Sequence, residues 1–492
     1  MAKGFPYLLV AALILFNSCS QPKNKTELKT PDNILALVGN KAITVNDFIK
    51  RCEYVPRPPY CRGDNYIHKK IALNSLIAEK LFAIEFENRD LHMTENQRMV
   101  VEGQKEQTMR HLMLQRYGFQ KVTLDTNQIQ RLAMLSNREY RISFINVNKK
   151  EGIVFAGLPE GSRLKDIVRE SNNKIEILEK SITKNDNMIE AVNQILYYGK
   201  PNLNQLYGPF ESGSNNLFYF EVSGWTTRAK VTEKEKKDNW DQAQKQYSEK
   251  AAKNYYSEFV SGLLKGKTIE YNPEVFPLFS KKLSNIYLIE KEKKEAVIEN
   301  RIWEKKEETE LATFDDIRKI ESYVILKHDK KEFKISDLLT MIKKHPLVFR
   351  NKTINPNRFD NELKYAIADL FRDYHITKEA YRLGLDKDIL AIHNEEKWQD
   401  YIKSLTLNKS LGEKAFLNRS PGKHLIQLAD SLQIKHSGSI KIDTDKFDQI
   451  ELSNIDMSVM YTNQPYAKLE PNFPIITNDH LLDYGQKFNF DE

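Results

Sequence analysis

The sequence predicts an α+β protein that is predominantly α-helical and built as several lobes in an elongated arrangement. Charged residues make up 29% of the 492 residues and hydrophobic residues 40%, which favours several small domains over one large core. Long segments with helical periodicity, such as residues 66–91 and 94–119, precede a stretch at 139–225 that mixes strand and helix patterns. More helical patterns follow that stretch. We therefore expect a small α/β domain inserted between helical regions.

The N-terminus carries an export signal. Lys3 precedes an apolar run from Phe5 to Phe16, which is too short to cross a bilayer because crossing takes about 20 residues. No other segment of the sequence is long and apolar enough to do so. The rest of the chain is therefore expected to be exported and to lie in water.

The sequence FNSC at residues 16–19 resembles a bacterial lipobox. The small Ser18 fits that motif, and a phenylalanine stands where leucine is usual. We expect residues 1–18 to be removed as a signal peptide, Cys19 to be acylated, and residues 19–33 to form a tether. The alternative is an ordinary secretory signal with a chance cysteine.

Charge and motifs exclude several classes of function. The formal net charge of +7 arises from 75 basic and 68 acidic residues that are interspersed along the chain. No basic stripe or nucleic-acid motif stands out, so nucleic acid is not an expected partner. The sequence contains no HExxH metal motif, no GxSxG turn and no glycine-rich phosphate loop. We therefore expect no metal and no cofactor.

The first folded region, residues 34–138, is predicted to open with a β-hairpin and continue as helices. The turn sequence GNK between two short apolar runs indicates the hairpin. Thr44 and Asp47 have the spacing of a capping box, which predicts that a helix begins there. Two long amphipathic helices and one shorter helix follow.

Two cysteines, Cys52 and Cys61, flank a proline-rich loop in this region. An exported protein is in a compartment that permits disulfides, so a bridge that closes this loop is one interpretation. Two small thiols without a bridge are the other.

A second helical unit at residues 321–420 repeats the first. The sequence YVILKHDKKEFKISDLL has the same strand–turn–strand–helix pattern, with Ser336 as the expected helix cap and Asp337 in the place of Asp47. Residues 362–388 match the first long helix at a constant offset. Gene duplication explains the two units better than chance does.

The remaining regions have weaker patterns. Within residues 139–230, an opening strand and a closing strand, LFYFEVSGW, flank RLKDIVRES and KIEILEKSI, which we interpret as helices. Residues 231–320 are predicted to be a charged helical segment. In residues 421–492 the periodicity fades apart from one short strand and one helix, so this end is expected to be an extended C-terminal region.

The order of these features resembles the exported parvulin-type peptidyl-prolyl isomerase chaperones, which include the periplasmic survival chaperone and the foldase lipoproteins. The resemblance covers roughly residues 34–260 and recurs at about 323–400. It implies helical chaperone-like domains at 34–138 and 321–420 and a parvulin-like domain at 139–230. It also implies unfolded or outer-membrane-bound polypeptides as partners, and the periplasmic face of the outer membrane as the location.

The residues that parvulins use for catalysis are not found in this chain. Parvulins resemble one another in a pair of histidines on neighbouring strands, together with a cysteine or an aspartate. Here Ser143 and Phe144 occupy the opening strand and Phe218 the closing strand, and no histidine or cysteine occurs between His111 and His328. We therefore predict no catalytic residues of the usual kind.

Aromatic side chains remain as candidates for binding apolar or prolyl segments of a client. The candidates are Phe144, Phe210, Phe218, Phe220 and Trp225. The alternative is that these residues simply form the core of the domain, because alternate strand residues face inward.

Three hypotheses about function follow. The first is a lipid-anchored chaperone whose parvulin-like domain is not catalytic, and the second is an active isomerase that relies on weaker polar groups. Those groups would be Ser143, Tyr197, Tyr198, Tyr207 and Tyr219. The third is a structural lipoprotein that serves one fixed partner in the cell envelope.

Overall fold

The computed structural model describes residues 33–148, 161–171, 174–186, 188–212, 216–288, 317–351, 354–411, 420–453 and 458–488, together with Pro159 and Phe490. The signal peptide, Cys19 and the tether up to residue 32 lie outside the described residues. Helices predominate over strands, so the predicted α+β, mostly helical class is confirmed. Among the residues that are described, none of the helices is both long and apolar enough to span a membrane.

The first part of the chain contains a hairpin, four helices and a small sheet domain. Its elements are β1 (Ile34–Val38), β2 (Lys41–Thr44), α1 (Val45–Glu53), α2 (Tyr66–Asn88), α3 (Glu95–Tyr117), α4 (Thr126–Ser136), β3 (Arg138–Asn148), α5 (Leu164–Glu170), β4 (Leu178–Ile182), α6 (Glu190–Asn193) with a π-helical turn (Gln194–Tyr198), β5 (Leu206–Ser212) and β6 (Asn216–Thr227).

The second part contains another hairpin and more helices. Its elements are α7 (Glu233–Leu263), β7 (Ile269–Tyr271), α8 (Val275–Tyr287), β8 (Val324–His328), β9 (Lys331–Lys334), α9 (Ile335–Lys344), α10 (Phe359–Arg382), α11 (Ile389–Ser410), α12 (Lys423–His436), β10 (Ile440–Ile442), α13 (Thr444–Gln449) and β11 (Gln486–Lys487).

The described residues form two compact units. The first unit takes its described residues from the ranges 33–108, 270–370 and 381–490, and the second takes its described residues from 109–269 and 371–380. The strands form three sheets with the orders β11-β10-β1-β2, β4-β3-β6-β5 and β7-β8-β9.

The capping box predicted at the start of α1 is present. The Thr44 hydroxyl accepts a hydrogen bond from the Asp47 backbone N–H at 3.0 Å, and the Asp47 carboxylate accepts one from the Thr44 N–H at 3.1 Å. In the second hairpin the prediction for Ser336 is wrong. Lys334 occupies the cap position, because β9 ends there, and its N–H donates to Asp337 at 2.9 Å.

The two hairpins are equivalent in detail. Both have the same register and the same irregularity, which lies between Ile34 and Ala36 in one and between Val324 and Leu326 in the other. The helices that follow also correspond in order and length. This agreement supports the predicted duplication.

The core of the first unit combines both ends of the chain. Strand β10 pairs antiparallel with β1, with Ala36 opposite Ile442, and α12 packs on α2. Phe473 and Ile476 are buried in the same core. The short strand and the helix predicted in this region are present as β10 and α13. The prediction of an extended end is wrong for residues 423–436, which form α12, because the helix on which α12 packs lies far away in the chain.

Two other predictions are corrected by long-range pairing. The segment KIEILEKSI contains strand β4, because Leu178–Ile182 pair with residues 140–144 of β3. The charged segment 231–320 is not uniformly charged helix, because α8 buries Phe276 and Phe279 and β7 joins the sheet of β8. Residues 289–316 of that prediction lie outside the described residues.

Cys52 and Cys61 are both buried as free thiols, so the structure contains no bridge between them. Burial raises the pKa of each thiol to about 12, which makes both poor nucleophiles. The Arg57 guanidinium donates to the carbonyl oxygens of both cysteines and fixes the loop without a covalent link.

Buried ion pairs connect the first hairpin and the helices α1, α2 and α11. Asp400 accepts hydrogen bonds from Lys41 at 2.7 Å and from Lys80 at 2.9 Å. Arg51 and Glu79 form a second buried pair, with 2.7 Å between Nη2 and Oε2. Burial by itself raises the pKa of Asp400, but Lys80 and Lys41 outweigh it, so the pKa lies below its ordinary value.

We expect Asp400→Asn to lower the free energy of unfolding by about 3–5 kcal/mol at pH 7, because Lys80 would stay buried without its carboxylate. Since the pKa of Asp400 is lowered in the folded state, this contribution is present above about pH 4 and is lost as the pH falls further. Denaturant unfolding at several pH values measures both effects. Glu396→Gln, an exposed site on the same helix, is the control, and an equal effect there would contradict the assignment.

Candidate functional site

The candidate site lies on the sheet of the second unit. Strands β3 and β6 are the central pair of the order β4-β3-β6-β5, so the opening and closing strands of this domain are direct neighbours. Phe144 is opposite Phe220, and Asn146 is opposite Phe218. Because side chains of directly paired residues point to the same face, Phe144, Phe218 and Phe220 share one face of the sheet.

Four of the five predicted aromatic residues come together on that face. The ring centroids of Phe144 and Phe218 are 5.4 Å apart, those of Phe218 and Phe220 5.8 Å, and those of Phe210 and Phe220 6.0 Å. Phe220 is completely buried, whereas the other three rings are half-buried. We call Phe144, Phe210 and Phe218 the aromatic patch, with Phe220 as its floor.

The fifth residue, Trp225, is separate from the patch. It pairs with Tyr140, four residues along β3 from Phe144, and its ring lies 5.9 Å from the Tyr140 ring. The Arg138 guanidinium covers one face of the indole at 4.6 Å, and the residue remains 37% exposed. Trp225 is therefore not part of one continuous surface with the three phenyl rings.

The rest of this face is covered by the chain itself. Val192, Leu196 and Tyr197, from α6 and the π-helical turn, pack on Tyr140 and Val222 of the sheet. The patch occupies the end of the face that these residues leave half-exposed. It is therefore the edge of a hydrophobic core: the core interpretation holds for Phe220, and binding of a client at the other three rings stays a prediction.

The opposite face of the sheet is closed by α5. Leu164 and Ile167 pack on Tyr219 and its neighbours, and the Leu164 N–H donates to the Glu221 carboxylate at 2.6 Å. Arg163 forms a bidentate pair with the same carboxylate, which fixes the start of the helix.

An irregularity in β5 brings Tyr207 to the aromatic face, a residue that the sequence offered only as a polar group for catalysis. Tyr207 and Phe210 are three positions apart, a spacing that puts residues of a regular strand on opposite faces. The register shifts between them, so Tyr207 lies opposite Phe220, with 5.1 Å between the ring centroids. Gly208 has φ of +132°, and a Cβ there would lie 2.8 Å from the Phe218 carbonyl oxygen, so glycine is required.

Leu178 also joins this face, and the sequence did not single it out. It lies opposite Phe144 at the outer strand β4 and is 44% exposed, so it extends the apolar row to the sheet edge. Its segment had been interpreted as a helix, and only the pairing of β4 with β3 reveals its position.

The hydroxyl groups considered for catalysis do not converge on the patch. Ser143 and Tyr219 lie on the opposite face of the sheet, since side chains alternate along a strand. The Tyr197 hydroxyl donates to the Ile182 carbonyl oxygen at 3.0 Å, and the Tyr207 hydroxyl accepts from the Asn202 N–H at 2.8 Å. Burial raises the pKa of Tyr197 further above its ordinary range.

Tyr198, the remaining candidate, lies between two lysines. The ammonium groups of Lys184 and Lys250 are 4.3 and 4.4 Å from the centroid of its ring. Burial lowers the pKa of Lys184, and the charge of Lys250 lowers it further, while the nearby Glu190 opposes the change. This positive charge is held at the covered end of the face, next to the π-helical turn.

The arrangement suits binding better than catalysis. Phenyl rings offer neither a ligand for a metal nor a proton for transfer, but they attract apolar and prolyl groups through burial and dispersion. No family model, no curated protein and no solved structure matches this chain. The functional assignment therefore depends on the residues themselves.

Because Phe218 and Phe220 are buried to different extents, we expect their replacement by alanine to lower the free energy of unfolding by different amounts. Phe220→Ala is expected to lower the free energy of unfolding of this domain by about 3–5 kcal/mol, because it opens a cavity in a closed core. Phe218→Ala should cost clearly less, because the ring is half-exposed. Denaturant unfolding measures both, and equal losses would mean that Phe218 belongs to the core rather than to a surface.

Proposed function

We propose that this protein is an exported, lipid-anchored chaperone that holds unfolded polypeptides, and that its parvulin-like domain binds them without catalysis. The anchor would be Cys19, on the periplasmic face of the outer membrane. The clients would be unfolded or outer-membrane-bound polypeptides. The membrane would be contacted through the lipid alone, and no cofactor or nucleic acid would take part.

One observation carries this proposal. Of the two strands in which the resemblance expects histidines, the opening strand holds Ser143 and Phe144 and the closing strand holds Phe218. The rings of Phe144 and Phe218 are 5.4 Å apart on one face of the sheet. Phe210 and Leu178 extend the same row on either side, and all of these residues are at least partly exposed. A half-buried aromatic surface of this kind fits a short apolar stretch of a client.

The absence of imidazole in this domain also supports binding over turnover. Lowering the barrier of about 18–20 kcal/mol to rotation of an X–Pro bond requires polar groups that meet the changed charge of the twisted amide. The side chains of the patch are phenyl rings, and the nearby tyrosine hydroxyls are engaged with the backbone. Weak binding of a prolyl segment needs no such groups.

Removing the patch should weaken chaperone activity. The double variant Phe144→Ser/Phe218→Ser is expected to lose most of the protein's ability to suppress aggregation of a chemically unfolded test protein, since two apolar contacts are lost. Light scattering during dilution from denaturant measures this. Tyr255→Ser, at an aromatic residue on α7 that is 41% exposed, is the control. Equal losses in both variants, or no loss in the double variant, would argue against the patch.

The full chain should not accelerate proline isomerisation. With an X–Pro test peptide, we expect the slow uncatalysed rate, with relaxation over tens to hundreds of seconds, at every protein concentration. A protease-free assay of peptide relaxation measures this. Acceleration that disappears in the Phe144→Ser/Phe218→Ser variant would support the isomerase hypothesis instead.

A further inference from the structure

The helical regions contain two halves with the same order of elements. We define the first half as residues 33–288 and the second half as residues 317–453. Each half begins with a hairpin and three helices, and each ends with a helix, a short strand and another helix. The small sheet domain is found in the first half, between the third helix and the closing helix–strand–helix segment.

The closing segments are equivalent at the level of individual residues. After β7, the Asn272 side chain accepts from the backbone at the start of α8, and the Phe276 N–H donates to the Asn272 carbonyl oxygen at 3.0 Å. After β10, the Asp443 side chain accepts at the start of α13, and the Phe447 N–H donates to the Asp443 carbonyl oxygen at 3.1 Å. Both phenylalanines are buried.

Each hairpin is completed by the closing strand of the other half. The Leu35 carbonyl oxygen in the first hairpin accepts from the Asp443 N–H at 2.9 Å. The equivalent Ile325 carbonyl oxygen in the second hairpin accepts from the Asn272 N–H at 2.8 Å. Equivalent acceptors therefore meet equivalent donors, and in both cases the donor belongs to the other half.

The third helices are exchanged in the same way. Helix α11 of the second half packs on α2 of the first, with Lys80 bonded to Asp400 at 2.9 Å. Helix α3 of the first half contacts α10 of the second, with Arg110 bonded to Thr377 at 2.9 Å. The two third helices are equivalent, since each follows the first long helix of its half, α2 or α10.

We infer that the helical part of this protein is an exchanged dimer of one ancestral repeat, fused into a single chain. The surface that closes each half is supplied internally, by the other half. The fused chain therefore requires no second copy to complete its fold. Its described residues contain one sheet domain, whereas a dimer of two separate copies of the first half would contain two such domains. This inference does not depend on client binding.

Hydrogen exchange on the full chain tests whether each hairpin is completed by the closing strand of the other half. Ile442→Asp, in β10 of the second half, should remove protection in the hairpin at residues 34–44 and largely preserve it at 324–334. Tyr271→Asp, in β7 of the first half, should give the reverse, so each variant is the control for the other. If each substitution instead deprotects the hairpin of its own half, the inference is wrong.

Cleavage of the full chain keeps the inference testable if either variant fails to fold. A specific protease site inserted within residues 289–316 would separate the halves covalently. We expect the two fragments to remain together under native conditions, with the mass of one uncut chain by native mass spectrometry, and to separate in denaturant. Fragments that part under native conditions, or an uncut chain that is a dimer, would overturn the inference.

Discussion

Strand β1 needs a hydrogen-bonded neighbour on each side, and the chain supplies one of them from its far end. Strand β2 follows β1 directly, but β10 arrives only after almost the whole chain has been made. Buried backbone groups without partners are costly, so the first hairpin cannot be completed by local structure alone. The packing of α12 on α2, the burial of Phe473 and the contact of α11 with α2 belong to the same core as this strand pair.

Buried ion pairs give this long-range closure its specificity. Apolar helices can pack in several registers at similar cost, whereas a buried carboxylate needs its particular partner. Asp400 satisfies this need with lysines from β2 and α2, and Arg51 and Glu79 do so between α1 and α2. We infer that these pairs select one arrangement among alternatives of similar hydrophobic burial, rather than adding much to net stability.

In the small sheet domain, the pairing of neighbouring strands decides which side chains share a face. Its central strands bring Phe144 and Phe218 together on one face, with 5.4 Å between the ring centroids. The register shift in β5 then adds Tyr207 to the same face, and β4 adds Leu178. The result is a core that is left open at one end, a geometry suited to transient contact with apolar chain segments.

The sequence by itself determined the features that depend on near neighbours. The hairpin turns, the Thr44–Asp47 capping box and the long helices all follow from local spacing, because caps and helical periods involve residues a few positions apart. The duplication follows from the repetition of these local patterns later in the chain. Phe144 and Phe218 were also identifiable from the strand patterns. Only the tertiary structure decided that β4 is a strand, that residues 423–449 complete the first core, and that Phe220 is buried while Phe218 is half-exposed. Those outcomes depend on which distant segment pairs with which, and no local pattern encodes the partner.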